Sequence, residues 1–440
     1  MREITKEFLE DIEKEYLNND IYTIARNALN DCKISDLAKN SSQSEFLSNN
    51  FSINLDTLPV CDQKKSGRCW IFAGCNILRE KIAKRYNLEN FELSQNYAAF
   101  YDKLEKCNYL MESVISLKDR DKDDRLLTFI LMNGIQDGGQ WDLFVNIVRK
   151  YGVVPKDVFP ETYQSSNTSQ IDDVLNRYMR KFAYDVRELK GDEQKINELK
   201  ENAIRNVYKI LCNCFGIPPK IFSFEYTDKD KKYNIIKNIT PLDFYQNYVQ
   251  VNLDEYVSII NSPTADKPFY NPFSVNYLGN VVEGNRVIYL NEEMPRFKDL
   301  VISQLKDGEP VWFGCDCIKF GDRENGIWDD LSFDIDVLFQ IDSSMSKEAM
   351  LDMRESTMNH AMVITGVNLD DGKPTKWKIE NSWGDEKAND GYHVATDSWF
   401  DKYVFQAVVN KKYMSEFEKK DLTRNVIELN PWDPMGMLAK

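Results

Sequence analysis

The chain of 440 residues holds two histidines, so imidazole acid–base chemistry has two places to occur. His360 stands in Asn359-His360-Ala361-Met362-Val363-Ile364, at the mouth of an apolar strand, where a side chain can be presented to a substrate. His393 lies inside Gly391-Tyr392-His393-Val394-Ala395 and reads as a mid-strand side chain on one face. The matching nucleophile is Cys69, at the first turn of a long helix after Ser66-Gly67-Arg68. A helix N-terminus favours negative charge by ~0.3–1 kcal/mol when exposed, so this thiol is placed to ionise, and a nearby imidazolium would lower its pKa much further. Gln63 precedes it in a loop that can fold back toward the helix start. Its amide and the Cys69 N–H would then form an oxyanion hole, each donor being worth ~2.7–4 kcal/mol. Asn381-Ser382-Trp383-Gly384 follows a strand. The Asn381 carboxamide oxygen can accept from one histidine nitrogen and leave the other facing the thiol, while Trp383 shields that bond from water. Each residue also has a plain structural reading: a buried small hydrophobe for Cys69, a polar loop residue for Gln63, a turn for Asn-Ser-x-Gly.

Cys212/Cys214 and Cys315/Cys317 lack the two-residue spacing of a zinc knuckle, so neither a metal site nor another cofactor is expected. The formal net charge is −15. A phosphate-gripping domain usually needs a basic face, so nucleic acid is an unlikely partner. The charged start lacks the apolar core of a signal peptide, and no apolar run is long enough for a membrane span. Nine cysteines, an odd number, then read as reduced thiols of a cytoplasmic protein.

The elements that must position these groups follow from periodicity. Residues 5–30 read as helix, with Phe8, Ile12, Tyr16 and Ile24 at helical spacing. Phe51–Leu55 alternates as a short strand. Residues 69–86 carry an apolar stripe wide enough for a largely buried helix. Ser94 is a candidate N-cap for the next one. Asp137 to Gln140 form a turn, and Trp141–Tyr151 reads as helix stopped by Gly152. From about 160 to 300 the composition shifts toward Lys, Asn, Asp and Tyr, which reads as a largely helical insertion. Strands return at Arg286–Leu290, Pro310–Cys315, Ala361–Val367, Lys376–Glu380 and Gly391–Ala395, two of them joined by a hairpin at Asp370-Asp371-Gly372. Two prolines and a glycine make the tail from Asn430 to Lys440 extended.

Taken together, Gln63, Cys69-Trp70, His360-Ala361 and Asn381-Ser382-Trp383-Gly384 resemble, in order and local spacing, the papain superfamily of cysteine peptidases. Asp62 to Phe72, Asp137-Gly138-Gly139-Gln140-Trp141-Asp142, Trp312-Phe313-Gly314-Cys315-Asp316 and Pro431-Trp432-Asp433-Pro434-Met435-Gly436 narrow the resemblance to its bleomycin hydrolase / aminopeptidase C branch, over essentially the whole chain. The resemblance implies an α+β, papain-like two-lobed core with a largely helical insertion. Residues 1–160 would form the N-terminal extension and the helical lobe with the nucleophile, and 161–300 the insertion that supplies oligomer contacts. Residues 301–415 would form the β-rich lobe with histidine and asparagine, and 416–440 an arm into the cleft. It implies a homohexamer acting on peptides, with Cys69, His360, Asn381 and Gln63 catalytic. Gly138 and Gly139 would pair with substrate. The carboxylate after Ala439 and Lys440 would meet the substrate's α-ammonium and confine the enzyme to free amino termini. Lys440 extends past Ala439 and is expected to be removable by Cys69. Bleomycin cleavage is a property of the family. Two rival readings are a papain-like endopeptidase and a non-catalytic relative that binds nucleic acid.

Overall fold

The computed structural model describes residues 1–40, 47–322 and 325–439. The N-terminal periodicity resolves into two helices, α1 (Lys6–Leu17) and α2 (Asp20–Leu29), because Asn19 turns out and caps the second through the Ile21 N–H. The predicted buried helix is α3 (Cys69–Tyr86). Every residue from Cys69 to Arg79 is buried, and Asn87 ends the helix in the left-handed region at φ 52. Ser94 caps α4 (Gln95–Ser116) by accepting from Tyr97 N at 3.0 Å. Gly152, at φ 74, stops α5 (Trp141–Tyr151).

Residues 161–300 are mainly helical, with strands from Phe222 onward. Two long helices, α6 (Ser169–Glu188) and α7 (Glu193–Phe215), are followed by a hairpin of β2 (Phe222–Thr227) and β3 (Tyr233–Ile239). The chain then returns to the main sheet as β4 (Tyr256–Ile260), β5 (Pro272–Val275) and β6 (Tyr289–Asn291). These strands are short, buried and apolar, a pattern whose periodicity does not separate strand from helix.

The main sheet continues through β7 (Val311–Cys315), β8 (Gly321–Asp322), β9 (Ile327–Trp328), β10 (His360–Asp370), β11 (Lys373–Glu380), β12 (Tyr392–Thr396), β13 (Val404–Asn410) and β14 (Ile427–Leu429). Among the described residues its order is β14-β5-β6-β4-β13-β7-β10-β11-β12-β9-β8, with the short β1 (Ile53–Asn54) paired to β10. The β10–β11 hairpin turns at Asp371 and Gly372, both with positive φ, as an Asp-Gly turn requires. β10 is apolar on both faces. Ala361 and Val363 pack into a core with α3, α4 and α5, while Met362 and Ile364 pack into a second, tryptophan-rich core with Trp328, Trp377 and Trp399. Helices against one end and face of a mostly antiparallel sheet make the α+β class that the resemblance implies. The tail corrects the extended expectation. After β14 it winds into a 3₁₀ helix, Pro434–Ala439, because proline suits a first helical position and Asp433 caps the turn, accepting from Met435 N at 2.9 Å.

Candidate active site

The cysteine side is built by α3 and the loop before it. Cys69 opens the helix, and no side chain caps the preceding Arg68, so the first-turn N–H groups remain for other acceptors. Arg68 is itself buried and held by a bidentate pair to Glu161, at 3.2 and 3.0 Å. Asp137 fixes the loop and the helix together. Its carboxylate accepts from Gly67 N at 2.7 Å and from the Thr168 hydroxyl, and its carbonyl accepts from Trp70 Nε1 at 2.7 Å. Burial alone would raise the Asp137 carboxyl. The Lys103 ammonium at 2.7 Å, with the Thr168 and Gly67 donors, overcomes this and holds it well below the usual carboxylate range.

The histidine side is built by β10 and β11. His360 begins β10 and Asn381 follows β11, so strand pairing brings the two together. Asn381 Oδ1 lies 2.8 Å from His360 Nε2 and also accepts from Ser382 N at 2.8 Å. An oxygen that accepts from a backbone N–H requires the ring nitrogen to be the donor, so Nε2 carries a proton and Nδ1 is left for another partner. Trp383 covers the imidazole at 5.0 Å between ring centroids. His393 keeps its plain role: it stacks on Trp328 at 4.3 Å, and burial pushes its pKa down to about 4, so it is neutral at physiological pH.

The two sides meet where Ala361 N–H, next to His360, donates to Cys69 Sγ at 3.4 Å. Burial pushes the Cys69 thiol up to about 11, against the N–H groups of Ala361, Trp70 and Cys69, which favour the thiolate. A helix terminus supplies ~0.3–1 kcal/mol when exposed and up to ~2 kcal/mol when partly buried, and it acts in the same direction as these N–H groups.

Gln63 also lies at this junction. Its N–H donates to Ser382 O at 2.8 Å, its Oε1 accepts from Ser382 Oγ at 2.6 Å, and its Nε2 donates to Ser66 O at 2.6 Å. The Ser66 carbonyl can only accept, which fixes the amide orientation and leaves the second Nε2 proton for another acceptor. Sequence reasoning missed Ser382 as the residue that locks Gln63. It also missed Asp137 as the buttress of the cysteine loop, although both stood inside motifs it singled out.

The C-terminal arm packs against Gly138, next to the residue that meets Trp70 of the cysteine helix. A Cβ on Gly138 would collide with the Leu438 carbonyl, and one on Gly139 with the Trp70 ring, so only glycine lets the arm and the helix approach here. Lys106, 2.6 Å from Gly138 O and 2.7 Å from Asp102, holds this stretch from below. The Met435 carbonyl accepts from Tyr289 OH at 3.1 Å, and buried Lys267 pairs with Asp433 at 2.9 Å. Leu438 Cδ2 reaches the backbone of Gly314 on β7, beside Met358. Ala439 is the last described residue, and Lys440 lies outside the described residues.

The family model described as Peptidase C1-like family matches residues 3–436. Aminopeptidase C of Lactobacillus delbrueckii subsp. lactis is 46% identical over 444 residues, covering 100% of this chain and 99% of that one. Aminopeptidase C of Listeria monocytogenes serovar 1/2a is 42% identical, with 99% of each chain covered. Bleomycin hydrolase of Homo sapiens is 39% identical, covering 87% of this chain and 86% of its own. Among solved structures, the crystal structure of PepW from Lactobacillus rhamnosis HN001 superposes with a TM-score of 0.96 at 44% identity, covering 99% of each chain.

Proposed function

The chain belongs to the peptidase C1-like family, as a papain-like cysteine aminopeptidase of the aminopeptidase C and bleomycin hydrolase branch, and we propose that it removes residues from free peptide amino termini through an acyl-enzyme on Cys69. The observation that carries this reading is the juxtaposition of Cys69 Sγ with the Ala361 N–H, 3.4 Å away, beside the His360–Asn381 pair.

His360 takes the Cys69 proton at Nδ1 while Nε2–H stays on Asn381. The thiolate attacks the carbonyl carbon of the first peptide bond, and the oxyanion is held by the spare Gln63 amide proton and the Cys69 N–H. The imidazolium protonates the leaving amine, the C–N bond breaks, and an amino-acyl thioester remains. Neutral His360 then takes a proton from water, whose oxygen attacks the thioester, and the amino acid and the thiol are released. Replacing Gln63 by alanine lowers kcat by ~10²–10³ with KM changed little. A steady-state loss below threefold would remove Gln63 from this role.

The arm fills the part of the cleft where residues N-terminal to the first would otherwise extend, and Leu438 takes space that a side chain there would need. The chain end beyond Ala439 then supplies the carboxylate that pairs with the substrate's α-ammonium. Acetylating the amino terminus of a test peptide removes that pair and lowers kcat/KM by at least about 30-fold. Deleting Met437 to Lys440 brings the free and acetylated peptides close to parity by admitting internal bonds. Equal cleavage of both peptides by the intact chain would instead mark an endopeptidase.

We assign further properties from the same likeness. Bleomycin is a second substrate of this site, by similarity to human bleomycin hydrolase. A homohexamer is assigned on that likeness, and the exposed apolar residues Phe8, Leu9, Ile12, Ile21 and Ile24 on α1 and α2 offer it contact surface. Free thiols at all nine cysteines support a cytoplasmic location. Among the described residues, no helix is long and apolar enough to cross a membrane.

A further inference from the structure

Besides its apolar packing on the sheet, helix α3 hydrogen-bonds to the β10–β11 pair at its first turn and again further along. The first is Cys69 Sγ on the Ala361 N–H. The second is a buried polar cluster at Arg79, ten residues further along the helix, a distance of about 15 Å at 1.5 Å per residue. Arg79 Nη2 pairs with Glu380 Oε1 at 2.8 Å, and both side chains are 1% exposed. Asn76, one turn earlier on the same helix, donates to the same carboxylate oxygen at 2.6 Å.

Glu380 is the last residue of β11 and directly precedes Asn381. It sits opposite Val363 in the ladder, so its side chain shares the face of Ala361 and Val363 that packs on α3. Asn381, the next residue, turns toward His360. Arg79 also reaches the segment that carries Gln63. Its Nη1 donates to Cys61 Sγ at 3.0 Å and its Nη2 to Leu58 O at 3.2 Å, while Cys61 O accepts from Gly384 N at 3.1 Å. One guanidinium therefore ties together the helix of the nucleophile, the loop of the oxyanion donor and the strand of the orienting asparagine.

We propose that the Arg79–Glu380 pair, with Asn76, is a positioning device that sets the separation of Cys69 from His360 across the two lobes. A helix held at one contact can pivot about it; a second anchor about 15 Å away fixes its direction. Hydrophobic packing between α3 and the sheet would tolerate sliding, whereas a hydrogen-bonded buried ion pair has one geometry. Arg79 and Glu380 touch no reacting atom, so they act only through Cys69 and Asn381. This inference rests on the cysteine aminopeptidase reading above.

The test is Glu380→Gln, which keeps the side chain's shape and removes its charge. Three properties are measured: kcat and KM on an aminoacyl fluorophore, the pH profile of Cys69 alkylation followed by peptide mass mapping, and the circular-dichroism spectrum. The expected result is a folded protein whose kcat falls at least tenfold with KM within threefold, and whose acidic alkylation limb moves up by at least one pH unit. That limb reports how strongly the imidazolium stabilises the thiolate. A folded variant with an unmoved alkylation limb overturns the proposal, whatever its kcat. If Glu380→Gln does not fold, Asn76→Ala decides, since it removes one donor and leaves both charges in place. A three- to tenfold fall in kcat with an upward limb shift supports the proposal, and an unmoved limb overturns it. Alkylation is read without turnover, so a failure of the aminopeptidase reading would appear separately, as a parent enzyme with no aminoacyl activity.

Discussion

Replacing Cys69 by alanine lowers kcat/KM on any aminoacyl substrate by at least ~10⁴-fold while the protein stays folded. The size of the effect follows from the chemistry. Without sulfur there is no acyl-enzyme, and neither Gln63 nor His360 can replace a covalent intermediate. The stability cost is small by comparison. The lost atom is a buried sulfur that accepts from the Ala361 N–H at 3.4 Å, and its loss leaves a small cavity worth about 1 kcal/mol. In a chain of this length that lowers Tm by less than about 4 °C. Thermal melting beside steady-state kinetics separates the two effects. Residual activity within a hundredfold of the parent would reassign the nucleophile. The same variant tests the chain end. If Cys69 trims its own terminus, the active protein is lighter than expected by one lysine and the alanine variant retains Lys440. Equal intact masses would exclude the trimming.

The local rules of helix and turn were legible because they depend on a few adjacent residues. Ser94 as a cap, Gly152 as a stop and the Asp371-Gly372 hairpin follow from backbone geometry that those residues alone permit. The meeting of Gln63, Cys69, His360 and Asn381 was legible from their order and motifs, since periodicity placed them only on a helix tip, a loop and strand ends. Other features had no local signal. Ser382 looked like a turn residue, yet its hydroxyl locks Gln63, a contact that exists only once the lobes close. Arg79 is a charged residue on a helix read as largely buried, and nothing local shows that Glu380, Leu58 and Cys61 are its partners. The burial of the Cys69 thiol likewise had no local signal, since a helix tip can be read from sequence and what covers it cannot. The strands Tyr256–Ile260 and Pro272–Val275 were not separated from the helical insertion because short apolar strands carry no period of their own.

The largest effect on the sulfur itself comes from His360→Ala. With no imidazole to accept its proton, Cys69 keeps the pKa of about 11 that burial imposes. About one thiol in 10⁴ is then ionised at pH 7, and reaction with an alkylator, which needs the thiolate, slows accordingly. The proposed mechanism requires the opposite in the parent protein, where thiol and imidazole would share one proton and the thiolate would persist below pH 7.

The measurement that bears most directly on this account is the rate of Cys69 alkylation by iodoacetamide from pH 5 to pH 10. It is followed by mass mapping so that the exposed Cys32 does not contribute. The shared proton predicts a rate that varies less than about threefold between pH 6 and pH 8 in the parent, and a tenfold rise per pH unit in His360→Ala. A parent rate that itself climbs tenfold per unit from pH 6, matching the variant, would contradict it.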